Sequence, residues 1–290
     1  MKIYPYCAAC MFDRVLKTAE LGTKDKEKIR KVVLEMCRLM EKEFSYEKTP
    51  SDLGTLQSML VMRLTGNKDP YRMKKREAME HAKKSYPVFE KYVSEGKTEF
   101  ERFKRALMIA IYGNIAEVSS PRHSVNVSEI EKTIRRAVRS GLAIDDTREI
   151  YKKVLKARSI LYICDNAGEA FFDKLLIKEL AKRARVRVAV CTSPVDDDLT
   201  LKEAKQVRFP AEVFGKGSCF GFSKEFVNDE AWKKFLDADL VVAKGMANYE
   251  TITEIPEARG KTAFLFTVKC ISVSKNVGKP IGSGIAMLYK

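Results

Sequence analysis

The chain has 290 residues, 45% of them hydrophobic, which is enough for one large domain or two ordinary ones with a proper core. Lys and Arg number 54 against 39 Asp and Glu, a formal charge of +15 that favours anionic partners; yet basic and acidic residues alternate, as in Lys24-Asp25-Lys26-Glu27-Lys28, and read mainly as solvated helix surface. No run nears the ~18 apolar residues of a membrane span, the first residues hold no apolar leader, and the seven cysteines form no dense framework, so a cytoplasmic protein without a membrane partner is expected.

Residues 1–157 read as almost entirely helical. Ile29, Val32, Val33, Met36, Cys37 and Met40 recur at helical spacing. Further helical stretches are expected near 9–21, 51–64, 70–95, 97–116, 127–139 and 146–156. Thr49-Pro50-Ser51, Gly66 to Pro70 and Ser119-Ser120-Pro121 punctuate them. After residue 157 the period changes. Short β-branched runs at 159–164, 186–191, 239–243 and 262–268 alternate with helical stretches at 169–183, 201–207, 223–236 and 249–253. A last run, 281–289, could add one more strand. The expected fold is therefore α/β, with a mainly parallel, Rossmann-like sheet in residues 158–290 and a helical N-terminal domain in residues 1–157.

Ligands of such sheets bind at the carboxyl ends of the strands. Strand 159–164 ends in Asp165-Asn166, and Ala167-Gly168 then opens a helix. Strand 186–191 runs into Asp196-Asp197-Asp198. Strand 239–243 ends in Lys244-Gly245, with Asn248 and Glu250 just beyond, and strand 262–268 ends in Lys269-Cys270. Each feature alone has a plain reading: Asp-Asn is a helix cap, the Asp triplet a solvated loop, Lys-Gly a turn. Their convergence on one edge points instead to hard oxygen ligands for a divalent ion such as Mg²⁺ or Mn²⁺, with lysines that neutralise a phosphate. Gly168 at a helix start adds an N-terminus favourable to anions.

These residues resemble a known family. Asp165-Asn166-Ala167-Gly168-Glu169 with Phe172-Asp173-Lys174 is similar to the hallmark of the metal-dependent damage-control phosphatases, long catalogued as domain of unknown function 89. Cys7-Ala8-Ala9-Cys10 resembles the N-terminal cysteine pair of its prokaryotic stand-alone branch. Asp69-Pro70-Tyr71 with Lys75, Gly113-Asn114-Ile115, Pro194 through Thr200, and Lys244-Gly245 with Asn248 and Glu250 resemble, respectively, that branch's helical-region motif, its Gly-Asn-Ile segment, its Pro-x-x-Asn-Asp-x-Thr loop and its Lys-Gly-x-x-Asn-x-Glu motif. The resemblance implies that Asp165, Asn166 and Asp198 bind a divalent metal (Mg, Mn, Co or Ni). It implies that Lys244 contacts a substrate phosphate, with Asn248, Glu250 and Asn114 close by. The activity implied is hydrolysis of phosphate monoesters on sugars or small metabolites, with Asp165 or Asp198 activating water or attacking directly. Three departures bear on substrate preference: Asp197 stands for the usual Asn, Glu117 for the Asp that follows Gly-Asn-Ile, and Met246-Ala247 for a Gln-Gly-like pair.

Rival readings fit less of the chain. A protein carboxyl methyltransferase lacks an adenosylmethionine fingerprint here, and a dinucleotide enzyme lacks Gly-x-Gly-x-x-Gly. A basic nucleic-acid-binding protein would cluster its cations with exposed aromatics. Cys7 and Cys10 read as a structural or incidental pair, because no second pair or nearby histidine completes a zinc set; His81 and His123 are the only histidines. Nothing in the sequence specifies the oligomeric state.

Overall fold

The computed structural model describes residues 1–113 and 127–290. The N-terminal helices are α1 (Cys7–Gly22), α2 (Lys26–Glu43), α3 (Pro50–Thr65), α4 (Arg72–Ser94), α5 (Glu99–Tyr112), α6 (Val127–Ser140) and α7 (Thr147–Lys156). Their starts are written in the sequence. Thr49 and Asp52 form a reciprocal capping box at the start of α3, with Pro50 in its first turn. The carboxylate of Asp25 accepts from the amides of Glu27 and Lys28 at the start of α2.

The strands are β1 (Ile144–Asp145), β2 (Ser159–Ile163), β3 (Arg185–Val190), β4 (Glu212–Gly215), β5 (Leu240–Lys244), β6 (Thr262–Thr267) and β7 (Gly284–Leu288). Helices α8 (Ala170–Ala181), α9 (Leu201–Val207), α10 (Asp229–Leu236), α11 (Gly245–Ile252) and α12 (Ile271–Val277) lie between them. Three elements were not expected from the sequence: β1, β4 and α12. β1 is two residues long and β4 four, too short for an alternating pattern to emerge. The expected helix at 223–236 shortens to α10 because Asn228 caps it, its side chain accepting from Ala231 N at 2.8 Å.

The sheet has the order β1-β7-β6-β5-β2-β3-β4. All of its neighbours are parallel except β6 and β7. From β2 the chain winds outward through β3 and β4, then returns to β5 on the other side. The order therefore reverses between β2 and β5, and a crevice opens at their carboxyl ends.

Side chains alternate between the two faces. Ile160, Tyr162, Leu240 and Val242 pack with Phe89, Leu107 and Leu176 from α4, α5 and α8. Leu161, Ile163, Val241 and Ala243 pack with Phe235 and Ile252 from α10 and α11. The first of these cores runs across residue 157, joining Met79 through Val154 to the sheet. A third core, with Val15, Val32, Met36, Leu53 and Val61, holds α1, α2 and α3 together. Among the described residues no helix is long and apolar enough to cross a membrane.

Candidate active site

The chain leaving β2 and the chain leaving β3 are tied backbone to backbone. Ala167 N donates to Asp197 O and Leu199 N to Asp165 O, both at 2.9 Å. Asn166 and Asp198 form an antiparallel bridge. This pairing, and not sequence proximity, brings Asp165, Asn166 and Asp198 together. All three line one cavity of about 700 Å³ at the switch point, with Asp197 beside them.

Asp165 and Asp198 are only 8% and 2% exposed. Burial, then the charges of Glu169 and Asp198, push the Asp165 carboxyl well above the usual carboxylate range. Burial pushes Asp198 up to about 8, against the opposing charge of Lys216. Asp197 is raised by burial and by Asp196. The loop is held from the N-terminal helices. Ser58 Oγ of α3 donates to Asp196 Oδ1 at 2.8 Å, and Arg14 Nε of α1 lies 3.6 Å from Asp196 Oδ2. Asp196 has φ of 40°, a left-handed conformation unusual for a residue with a side chain.

Gly245 closes the floor. Its φ is 79°, and a Cβ built on it would lie 1.9 Å from Asp165 Oδ2. The first residue of α11 therefore approaches the carboxylate as only glycine can. Gly245→Ala is expected to destabilise the fold by about 1–2 kcal/mol through the left-handed backbone alone. Displacing Asp165 should lower activity further, so a thermal melt and a rate measured together check both effects.

The remaining expected residues are placed differently. Lys244 does not line the cavity. Its Nζ is buried and paired with Asp173 Oδ1 at 2.7 Å and Glu169 Oε2 at 2.9 Å. Tyr162 Oη also donates to Asp173 Oδ1, at 2.8 Å. Burial alone would lower the Lys244 pKa, but Asp173 and Glu169 outweigh it and hold it above the ordinary value. The physical reason is strand parity. Lys244 falls on the face of β5 shared by Leu240 and Val242, turned toward α8. Asn248 is also buried, with Nδ2 donating to Lys244 O at 2.6 Å and Cys164 O at 3.3 Å. Gly168 is buried in the turn Ala167–Glu169, away from the cavity lining. The neighbouring amides are already used, since Asn166 N donates to Glu169 Oε1 at 3.1 Å and Ala167 N to Asp197 O. Glu250 does line the cavity, its Oε2 accepting from Ser51 Oγ at 2.6 Å. Asn114, Glu117 and His123 lie outside the described residues. Gly113 lies within them, pressed against Phe172, where a Cβ would come within 2.5 Å of the ring.

The sequence placed Lys269 on the strand-end edge without assigning it a role, and it passed over Arg14 and Phe220. Lys269, just past β6, lines the cavity, and its charge opposes the raised pKa of both Asp165 and Asp197. The same strand-end logic that singled out Lys244 pointed to it equally. Arg14 and Phe220 also line the cavity, the guanidinium stacked 4.4 Å above the ring centroid. No local signal marks them, because they come from α1 and from the loop after β4. Cys7 and Cys10 border the cavity as free thiols. His81 lies on α4, remote from it.

A sheet that reverses its strand order at β2, with carboxylates, an amide and a lysine gathered at that point, defines a doubly wound α/β protein with an acidic binding cavity. Residues 3–285 match the damage-control phosphatase ARMT1-like domain, and the chain belongs to that family. It is 35% identical to a damage-control phosphatase of Archaeoglobus fulgidus over the whole of both chains. It is 29% identical to a damage-control phosphatase of Pyrococcus horikoshii, across all of this chain and 99% of that one. The crystal structure of a DUF89 family protein from Pyrococcus horikoshii superposes with a TM-score of 0.90 at 28% identity, covering 100% of both chains. These likenesses support phosphatase activity for this chain.

Proposed function

We propose that this chain is a divalent-metal-dependent phosphatase acting on phosphate monoesters of sugars or related small metabolites. The observation that carries the reading is the burial of Asp165 and Asp198 together, each raised in pKa and sharing a cavity with Asn166 and Lys269. Two buried carboxylates that repel each other are an unfavourable arrangement unless a cation offsets them. Among the described residues no three His, Cys, Asp or Glu side chains form a metal-holding group by themselves. The donor set here is two carboxylates and an amide, hard oxygens suited to Mg²⁺ or Mn²⁺ and compatible with Co²⁺ or Ni²⁺. Asp165, Asn166 and Asp198 would hold the ion. When bound, it would supply charge neutralisation at the phosphoryl oxygens and a more acidic water.

The chain's own groups do the rest. Lys269 draws the phosphate toward the carboxylates and offsets its charge. Asp165 or Asp198 either takes the proton of the attacking water or attacks phosphorus itself. Gly245 leaves room for the Asp165 carboxylate to sit against the start of α11. Glu250, with Ser51, provides an acceptor for a substrate hydroxyl.

The test is phosphate release from a panel of sugar and metabolite phosphates with Mg²⁺, Mn²⁺, Co²⁺ and Ni²⁺, and with a chelator. Release that the chelator abolishes is expected; release that it leaves intact removes the metal from the reading. Lys269→Ala is expected to lower kcat/KM by about 100-fold, the scale of losing one electrostatic donor at a reacting centre. An effect within twofold would show that Lys269 does not meet the phosphate.

A further inference from the structure

The cavity lining is of two kinds. Charged side chains form one: Asp165, Asp198 and Lys269, with Arg14 and Glu250. Large apolar side chains, from the start of α1, from α12 and from the chain after it, form the other. These are Tyr6, Ile271 and Ile281, which are 50%, 48% and 56% exposed. Seven large apolar side chains are at least 48% exposed among the described residues, and three of them line this one cavity. Apolar side chains scattered singly on a surface need no explanation, but a cluster rimming a polar site marks a binding surface.

The exposed Cys10 and the half-buried Cys270 also line the cavity; desolvation raises both thiols above their ordinary pKa, so they present neutral, polarisable sulfur. Lys275 Nζ donates to Tyr6 Oη at 2.8 Å and lies 4.2 Å from the ring centroid. A volume of about 700 Å³ falls within the range of cavities that enclose ligands much larger than a phosphate.

Resting on the phosphatase reading above, we propose that this cavity prefers phosphate monoesters whose alcohol carries an apolar or aromatic group. The phosphate lies at the carboxylates beside Lys269, and the apolar group packs against Tyr6, Ile271 and Ile281. The hydrolysis is unchanged: water supplies the oxygen, the phosphorus–oxygen ester bond breaks, and the alcohol leaves with a proton. The apolar side chains act through binding alone.

The test uses two pairs of esters, each cleaved at a primary alcohol: ethyl against 2-phenylethyl phosphate, and ribose 5-phosphate against adenosine 5′-monophosphate. Matching the leaving alcohol makes each comparison report the remote group. In each pair KM is expected to be at least about tenfold lower for the member with the ring, given the apolar area removed from water. The double variant Tyr6→Ser/Ile281→Ser should bring that ratio to within about threefold. Both side chains are half exposed, so the fold should survive, and a melting curve checks this. Equal KM values within the pairs, or a ratio that persists in the double variant, overturn the inference while leaving the phosphatase reading in place. If no ester is hydrolysed with any metal, the phosphatase reading fails by itself. Calorimetric binding of 2-phenylethyl phosphate against ethyl phosphate then decides the inference: tighter binding of the former, lost in the double variant, supports it, and anything else overturns it.

Discussion

Lys244→Met is expected to cost about 3–5 kcal/mol of stability, because it leaves two buried carboxylates without their cation. Glu169 and Asp173 are each 1% exposed or less, and the Lys244 ammonium lies within 2.9 Å of both. Asp173 has its carboxyl pushed up to about 6 by burial even with Lys244 beside it. For a chain of 290 residues such a loss corresponds to a fall of about 5–8 °C in melting temperature. The triple variant Lys244→Met/Glu169→Gln/Asp173→Asn should recover part of it, since neutral partners no longer need the cation. If Lys244→Met leaves the melting temperature within a degree and instead raises KM tenfold, Lys244 returns to the phosphate-contacting role that its motif implied.

Asp165→Ala is expected to lower kcat/KM by a factor of at least about 10³, because it removes one of the two carboxylates proposed to hold the metal. The measurement that separates loss of ligand from loss of fold is the shift of melting temperature with Mn²⁺. A ligand that binds only the folded state stabilises it by mass action, so the wild-type protein should melt higher with Mn²⁺. The shift should vanish in Asp165→Ala while the metal-free melt stays close to that of the wild type. Asp13→Ala is the control. Asp13 is exposed on α1, is paired with Lys17 at 2.6 Å and does not line the cavity. Full activity in Asp165→Ala would sink the assignment.

The two variants separate two roles that look alike in sequence. Asp165 and Lys244 both stand at strand ends, and both lie in segments that resemble motifs of the family. Asp165 leaves its strand and enters the cavity. Lys244 is still within β5, paired in register with Leu265, so the alternation of the strand turns it away. Counting parity from Leu240 would have shown this, provided the face covered by α8 were known. That face is set by the packing of α8 against β2 and β3 and is not written in β5 itself.

Much of the architecture was legible because it is local. The apolar period of 3.6 in α1 through α7, the caps at Asp25, Thr49 and Asn228, and the β-branched runs at β2, β3, β5 and β6 follow from nearby residues alone. The elements that escaped, β1, β4 and α12, are between two and seven residues long, too short to carry a period. Asp165-Asn166 and the run Asp196–Asp198 were legible as neighbours because parallel strands must place their carboxyl ends on one edge; Asp198 was singled out within that run only by the resemblance to the family.

The strand order was not legible. It places β2 beside β5 and so brings Gly245 against Asp165. The cavity walls supplied by Arg14, Phe220 and Tyr6 come from parts of the chain up to more than two hundred residues apart, and no local pattern links them. The sequence by itself determined which residues end the strands and what chemistry they carry, since both depend on neighbours along the chain. Only the tertiary structure decided which of those side chains share a cavity and which are buried in ion pairs, because that depends on which faces the helices cover.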